Sequence, residues 1–425
     1  MSAHKYENLS QKFLVKSFDY QRQFFHLYSH RLTEMSALLA KRAEEHWGKA
    51  VPIKKLCDLR EEDEEECIII GTIYKHQEHK PSILKEISEE NQLAPQPARQ
   101  HYSDPEDKVI LEDELQRVRL HGKVRCEEMA TGVVCAVMGL IEEDGRFDVQ
   151  DILFYEGGIQ RPLPKKGKDR LLVLLSGLDQ VNSHNFVDSL NLFQYWLRGN
   201  LLKAGEPRKM RVIIAGNSVK SSEEKRLPSL QSRPNESKDV VDAMHALDEW
   251  FAAWSSSINL DVMPGAYDPA NFMMPQQPFH SCMFPKAAKH ENFQSVSNPY
   301  VCSVDDALVM GTAGQNVNDM LRNTGLEKPL EALRCTLKWG HLAPTAPDTL
   351  ACYPYLDCDP FVIRDCPHVY FVGNCDEFST RLHEGSQGQK TRLVCVPRFA
   401  ETQSIVVVNL ENLDCHEVSF DCNGE

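Results

Sequence analysis

Hydrophobic positions recur in two rhythms along the chain, and the change of rhythm divides it. Between about Tyr20 and Trp47, Phe24, Tyr28, Leu32, Met35 and Leu39 return at steps of four and three, the spacing that lines one face of a helix. Gly48 supplies the stop. Such a stripe packs on a core, and this one is expected to dock on a domain far along the sequence. From Ala50 to Tyr155 the rhythm is that of strands. Cys67 to Tyr74 is an apolar run, Gln116 to Val124 alternates, and Gly132 to Ile141 and Arg146 to Tyr155 flank the turn Glu142-Glu143-Asp144-Gly145. The stretch Pro81 to Asp107, rich in Pro, Gln and charge, reads as an ordered excursion between strands.

Short strands at this density predict a small closed barrel, and an OB-fold is the leading candidate. Arg161-Pro162-Leu163-Pro164-Lys165-Lys166-Gly167-Lys168 is a basic, Pro-rich linker. Beyond it the pattern changes again. Leu171 to Leu175 is wholly apolar, as a buried parallel strand should be, and Phe186, Leu190, Phe193 and Leu197 follow at helical spacing. Arg211 to Ala215 is the next strand, Ser218 to Lys238 a polar surface loop, and Val240 to Trp254 an amphipathic helix leading into the strand Leu260 to Met263. That order is βαβαβ, which fits right-handed crossovers in a parallel sheet. Val369 to Val372, Arg392 to Val396, Ser404 to Asn409 and His416 to Phe420 read as strands of a second sheet against the first. The expected fold is therefore mixed α+β: an OB-type barrel followed by an α/β sandwich.

Composition agrees with two globular domains. The chain has 425 residues and is 42% hydrophobic, too long for one ordinary core. The amino terminus MSAHKYENLSQK has no apolar stretch of signal-peptide type. No apolar run approaches the ~18 residues of a membrane span. Secretion and membrane insertion are therefore not expected. Of the 14 cysteines none forms a Cys-x-x-Cys pair, so reduced thiols acting as small core residues are expected. Cys352, Cys358, Cys366 and Cys375 are spaced too widely for a zinc signature.

Charge narrows the function of the barrel. The formal net charge is −15, and Glu44 to Gln160 holds 14 Lys and Arg against 27 Asp and Glu, a difference of −13. A surface this acidic repels phosphates. Protein binding is expected of the barrel in preference to single-stranded DNA, which would need a basic groove with stacking aromatics.

The candidate chemistry lies at four strand ends, where loops of a parallel sheet converge on one crevice. They read Ser176-Gly177-Leu178, Gly216-Asn217, Gly265-Ala266-Tyr267-Asp268 and Gly373-Asn374-Cys375. Their order resembles that of the calcineurin-like metallophosphoesterases, which place D-x-H, G-D, G-N-H-D/E and G-H-x-H there to hold two metal ions. Here Ser176 and Leu178, Asn217, Ala266 and Tyr267, and Asn374 and Cys375 stand where that pattern has ligands. A two-metal hydrolase needs oxygen and imidazole donors to hold both ions and ionise a water. Asp268 is the one remaining acid, and its expected work is to cap a turn before Pro269. His280, His341 and His368 are expected to be hydrogen-bonded packing residues. Gly311 to Asn316 lacks the lysine of a phosphate loop and reads as a tight turn and hydrogen-bond node. Phe272, Met273, Met274 and Phe279 are candidates for a plug in the vacated pocket, or for an interface.

A degenerate phosphoesterase that also carries PGAYDPANFMMPQQPFH (264–280), GTAGQNVND (311–319), HLAPTAPDTLACYPY (341–355), PSILKEISEENQLAPQP (81–97) and LEDELQRVRL (111–120) resembles the accessory, B-type subunits of DNA polymerase delta. The resemblance covers nearly the whole chain. It implies residues 1–47 as a helical segment packing on the phosphoesterase domain, 48–160 as the OB-fold, 161–170 as a linker and 171–425 as an inactive calcineurin-like phosphoesterase domain. It implies a non-catalytic, nuclear scaffold for DNA replication and repair, without cofactor. Its partners would be the carboxyl-terminal metal-cluster domain of the catalytic subunit and a third, clamp-binding subunit, with DNA contacted only indirectly. The alternatives are a residual metal-dependent phosphodiesterase and single-stranded DNA binding through the barrel.

Overall fold

In the computed structural model, residues 5–19, 21–60, 65–80, 101–163, 170–199, 209–220 and 236–421 are described. They group into two compact units: Met1–Phe18 with Ile159–Gln315 and Cys366–Glu425, and Asp19–Gly158 with Asn316–Asp365. The grouping differs from the linear division expected of the sequence at both ends. The first eighteen residues leave the helix that follows them, and residues 316–365 leave the carboxyl-terminal domain. Most of the excursion at 81–107, of the linker at 161–170 and of the loop at 218–238 lies outside the described residues.

Numbering starts at a short strand, β1 (Tyr6–Asn8), followed by α1 (Phe25–Trp47). The barrel strands are β2 (Ile53–Lys54), β3 (Cys67–His76), β4 (Lys108–Glu112), β5 (Arg117–Gly122), β6 (Val134–Ile141) and β7 (Arg146–Leu153). Their order is β2-β3-β4-β5-β7-β6, and β3 pairs with β6 as well, which closes a five-stranded ring. Closure leaves the ring strands no open edge. Inward positions Ile69, Ile73, Leu111, Val118, Leu120, Val137, Phe147 and Val149 are all buried. The alternation of those runs is thus the inside and outside of a barrel.

On the outside of this barrel lies α1. Met35, Leu39 and Ala43 pack with Ile68, Val134, Ala136, Leu153 and Val362. Residues 25–47 therefore dock on the barrel unit, which includes Val362 from the 171–425 stretch on which the helix was expected to pack. The buried stripe is also rotated from the expected one. It runs Leu27, Arg31, Met35, Leu39, Ala43, while Phe24 is exposed, because a cation occupies a core position. Helices α4 (Gln315–Asn323) and α5 (Pro329–Trp339) follow much later in the chain. The barrel unit binds that later stretch through backbone bonds from Tyr102 N to Arg322 O and Gly325 N to Glu127 O, each 2.8 Å.

The other unit begins its sheet at β8 (Arg170–Leu175), β9 (Lys209–Ala215) and β10 (Asn259–Met263), all parallel, with α2 (Val187–Leu197) and α3 (Glu236–Ser255) between them. This is the expected βαβαβ order. Further strands are β11 (Phe293–Ser295), β12 (Tyr300–Val304), β13 (Ala307–Thr312), β14 (Val369–Cys375), β15 (Ser379–Glu384), β16 (Lys390–Pro397), β17 (Ser404–Asn409) and β18 (Cys415–Ser419). One sheet runs β11-β10-β9-β8-β17-β18 and the second β1-β12-β13-β14-β16-β15. β17 and β18 thus extend the first sheet, antiparallel to β8, and do not join the second as expected.

Alternation along β8 shows why two layers form. Leu172 and Leu174 join Ile213, Val309, Phe371 and Val394 between the sheets. Val173 and Leu175 join Leu190, Phe193, Phe251 and Trp254 beneath the helices. Each such side chain contributes roughly 1.5–3 kcal/mol on burial. No helix among the described residues is long and apolar enough to cross a membrane, and every cysteine among them is free.

Candidate functional site

All four strand ends meet at one edge of the two-sheet unit. Asn374, at the end of β14, donates from Nδ2 to Ala215 O (3.0 Å) and Ala313 O (2.8 Å), while its backbone N–H donates to Ser176 Oγ at 2.8 Å. Ser176 is fully buried and directs its hydroxyl at Val396 O and Pro397 O, 3.1 and 2.9 Å away. Asn217 accepts from Tyr267 N at 3.2 Å. Ser176, Asn217 and Asn374 therefore tie the strand ends to one another.

The space between them is small. A Cβ on Gly265 would lie 2.3 Å from Asn217 N and Oδ1, and one on Gly373 would lie 2.6 Å from Ala215 O. Asn217 and Asn374 adopt left-handed backbone, φ 55° and 61°, which Asn tolerates better than most residues. Glycine and asparagine here serve close backbone approach.

Asp268 is the only acid in this set. Its carboxylate accepts from Val219 N and Gly265 N, each at 2.8 Å. Burial pushes its pKa up to about 6, against backbone donors at Val219, Gly265, Ser218 and Asn217 that pull it down. Its geometry is that of a turn cap.

The histidines are occupied elsewhere. His368 accepts at Nδ1 from Leu308 N (2.9 Å) and donates from Nε2 to Arg161 O (2.8 Å), and burial lowers its pKa. It is a neutral, fully bonded ring. His280 is exposed and caps Cys282 N. His341 belongs to the barrel unit and meets Asp359 at 2.9 Å. Among the described residues no group of three or more His, Cys, Asp or Glu could hold a metal ion.

Other expected site residues are scattered. Leu178 and Phe279 are core members beneath the helices. Cys375 is buried, with Sγ 3.8 Å from Val372 O. Met274 is buried, its sulfur 3.9 Å from Asn298 Nδ2. Phe272 is 82% exposed and fills no pocket. The plug reading fails for that residue because its loop turns the ring to solvent.

Sequence reading missed an amide network beneath the same loop. Gln276 donates to Gly265 O and Asn271 O (2.9 and 3.0 Å) and accepts from Asn298 Nδ2 and Gln315 Nε2 (2.9 and 2.8 Å). The motif GTAGQNVND supplies Gln315, so the signal lay in a node already suspected. Arg398 was missed too. It donates to Asn374 O at 3.0 Å and pairs with Asp376 and Glu401.

Known proteins resemble this chain over its whole length. Residues 172–380 match the family model for the B-type subunit of DNA polymerase alpha/epsilon, and residues 23–152 match the DNA polymerase delta subunit OB-fold domain. DNA polymerase delta subunit 2 of Drosophila melanogaster is 61% identical, over 99% of this chain and 98% of its own. DNA polymerase delta small subunits of Oryza sativa subsp. japonica and Saccharomyces cerevisiae are 39% and 31% identical, over 98% and 96% of this chain and 97% and 91% of theirs.

Proposed function

The chain belongs to the family of DNA polymerase delta small subunits, accessory subunits of B type, and from that premise we propose that it is a non-catalytic scaffold of the polymerase delta complex. Its place is nuclear DNA replication and repair. The two-sheet unit is read as an inactive calcineurin-like phosphoesterase sandwich. In keeping with the family resemblance, it bridges the carboxyl-terminal metal-cluster domain of the catalytic subunit and a third, clamp-binding subunit.

One observation carries the non-catalytic reading: Ser176 Oγ, Asn217 Oδ1 and Asn374 Nδ2 are each bonded to backbone groups, and Asp268 spends its carboxylate the same way. Clamping the attacking and leaving oxygens of a phosphodiester takes two ions, and two ions need several anionic or imidazole donors. One capped acid supplies neither charge nor geometry. A permanent scaffold instead needs area, typically more than about 2,000 Å² in total.

The test is a calorimetric manganese titration of the purified chain, with hydrolysis of bis(p-nitrophenyl) phosphate followed in the same samples and Asp268→Ala as control. No stoichiometric heat and no turnover are expected. Binding of two ions, with turnover lost in Asp268→Ala, would make the protein a phosphodiesterase.

A further inference from the structure

A cleft of about 490 Å³ opens in the two-sheet unit beside His368, at the start of β14 and so at the opposite end of that strand from Asn374. Ile159, Leu163, Leu382 and Leu413 give it an aliphatic lining, and Arg161 and Lys390 supply positive charge. No Asp, Glu, Phe, Tyr or Trp is among the described residues that line it. In a chain with 62 Asp and Glu against 47 Lys and Arg, the cleft reverses the prevailing sign. Lys5, itself paired with Asp306, lies within electrostatic reach of Arg161 and adds to that reversal.

One wall of the cleft is fixed by its backbone. Cys366 N donates to Ile159 O at 3.1 Å, and His368 Nε2 donates to Arg161 O at 2.8 Å. Between them Gln160 donates to Pro367 O and Lys390 O, both at 2.9 Å, and accepts from Lys390 N at 2.8 Å. The neighbouring side chains stay available: Ile159 is 78% exposed and Leu382 38%. The guanidinium of Arg161 is exposed and has no hydrogen bond or ion pair with any described residue. Lys390 pairs with Glu384 at 3.1 Å, with both side chains mostly in solvent, an exposed pair that an incoming carboxylate replaces at little cost.

These features select the occupant. A single strand of nucleic acid is held by stacking its bases on aromatic side chains, and the lining has none. A free inorganic anion would leave the aliphatic side chains in water. An acidic peptide with an aliphatic side chain uses both, since Arg takes a carboxylate in a bidentate pair and a pocket of this size encloses a small group. Its cost of binding is low because the wall it meets is already ordered.

We infer that this cleft is a docking site for a short acidic segment of a protein partner, with an aliphatic side chain entering between Ile159, Leu163 and Leu382 and its flanking carboxylates pairing with Arg161 and Lys390. The inference rests on the scaffold reading and names a surface that such a scaffold uses.

The probe is a fluorescein-labelled peptide of alternating glutamate and leucine, its anisotropy followed on titration with the full chain as wild type, Ile159→Ser and Arg161→Glu. Wild type is expected to bind saturably. Each variant should weaken binding by about tenfold or more while leaving thermal unfolding unchanged, and the loss in Arg161→Glu should shrink as salt rises. No binding by wild type, or equal binding by all three chains, would overturn the inference. So would equal binding of a peptide with serine in place of leucine, which would leave the aliphatic lining unused. An oligothymidylate bound by wild type and lost by Arg161→Glu would assign the cleft to nucleic acid and overturn the inference as well. Complex formation with purified polymerase delta catalytic subunit, measured in parallel, separates the two readings. A complex that forms while the peptide fails would overturn the inference alone, and no complex with wild type would overturn the scaffold reading and the inference with it.

Discussion

Arg31 and Asp359 stand 328 residues apart in sequence and form a 2.7 Å ion pair with neither side chain exposed. The guanidinium also donates to the carbonyls of Gly132 (3.1 Å), Pro344 (2.8 Å) and Ala346 (2.7 Å). Its planar fork thereby joins α1, the turn before β6 and the loop that follows α5. Gly132 permits this: a Cβ there would lie 2.0 Å from Pro344 O, at a backbone φ of 89°. Asp359 adds His341 at 2.9 Å and its own bond from Phe361 N. A buried charge is tolerable only when it is paired and hydrogen-bonded this completely.

Arg31→Met should therefore lower stability by about 3–5 kcal/mol, since it strands a buried carboxylate and three carbonyls. Urea denaturation measures it. Arg31 and His341 hold Asp359 well below the usual carboxylate range despite burial. A depressed native pKa gives stability that is present above the unfolded value near ~4 and lost as pH falls through the native one. The gap between wild type and Arg31→Met should be full at neutral pH and narrow only in strong acid. A gap below about 1 kcal/mol at neutral pH would show that the pair is a surface-like ion pair.

Asp268 has the opposite sign. Its native pKa is raised to about 6, so the folded chain holds a proton the unfolded chain has lost between pH ~4 and ~6. Its contribution is present below the lower value and lost as pH rises through the upper, a swing of roughly 2–3 kcal/mol. Asp268→Asn removes that titration and sets an amide N–H against one of the two backbone donors. Unfolding midpoints of wild type and variant should change differently with pH over that interval. Parallel curves would mean that Asp268 titrates as an ordinary surface acid.

How much of this is readable in the sequence follows from where each signal resides. β8, β9 and β10 are legible because buried parallel strands are apolar on both faces, and the barrel strands because their alternation is local. The rotation of α1 is not, since Arg31 reads as solvent-facing until Asp359 is placed beside it. β12 and β13 escape the reading although their turn, Asp305-Asp306, carries a signal: both residues have positive φ, 49° and 70°, as a two-residue hairpin requires. The transfer of β17 to the first sheet depends on a pairing with Leu171 to Leu174, which no local pattern announces. At the strand ends, the residue types tell only that Asp268 is the one acid among Ser176, Asn217, Asp268 and Asn374. That Ser176 and Asn374 have become hydrogen-bonded ties between two sheets takes coordinates to see.

Gly265→Ala tests how tightly that edge is closed. The added carbon would meet Asn217 backbone at 2.3 Å, closer than any real contact, and backbone cannot swing aside as a side chain does. Overpacking of this kind costs about 1–3 kcal/mol. The thermal midpoint should fall, and the Asn217 to Tyr267 bond should be lost, visible as faster exchange of the Tyr267 amide. An unchanged midpoint would show that the strand ends have slack, and with it room for a ligand.

The amino-terminal segment is expected to matter to stability out of proportion to its length. β1 adds three residues antiparallel to β12, and Tyr6 covers a buried ion pair, Arg211 to Asp261 at 2.5 Å, with the guanidinium 3.6 Å from the Tyr6 ring centroid. The phenol meets Tyr300 Oη at 2.8 Å and Gln294 Oε1 at 2.9 Å, and Tyr300 in turn donates to Asp261 at 2.9 Å. Tyr6→Phe keeps the stacking and deletes the hydroxyl, leaving two partners short, at roughly 1–3 kcal/mol. Tyr6→Ala also removes the ring and opens the ion pair to water, so it should cost more and make stability depend on salt. Equal effects of the two substitutions would assign the whole contribution to the hydroxyl. If neither substitution had an effect, β1 would be dispensable and Arg211 and Asp261 would be sufficient without their cover.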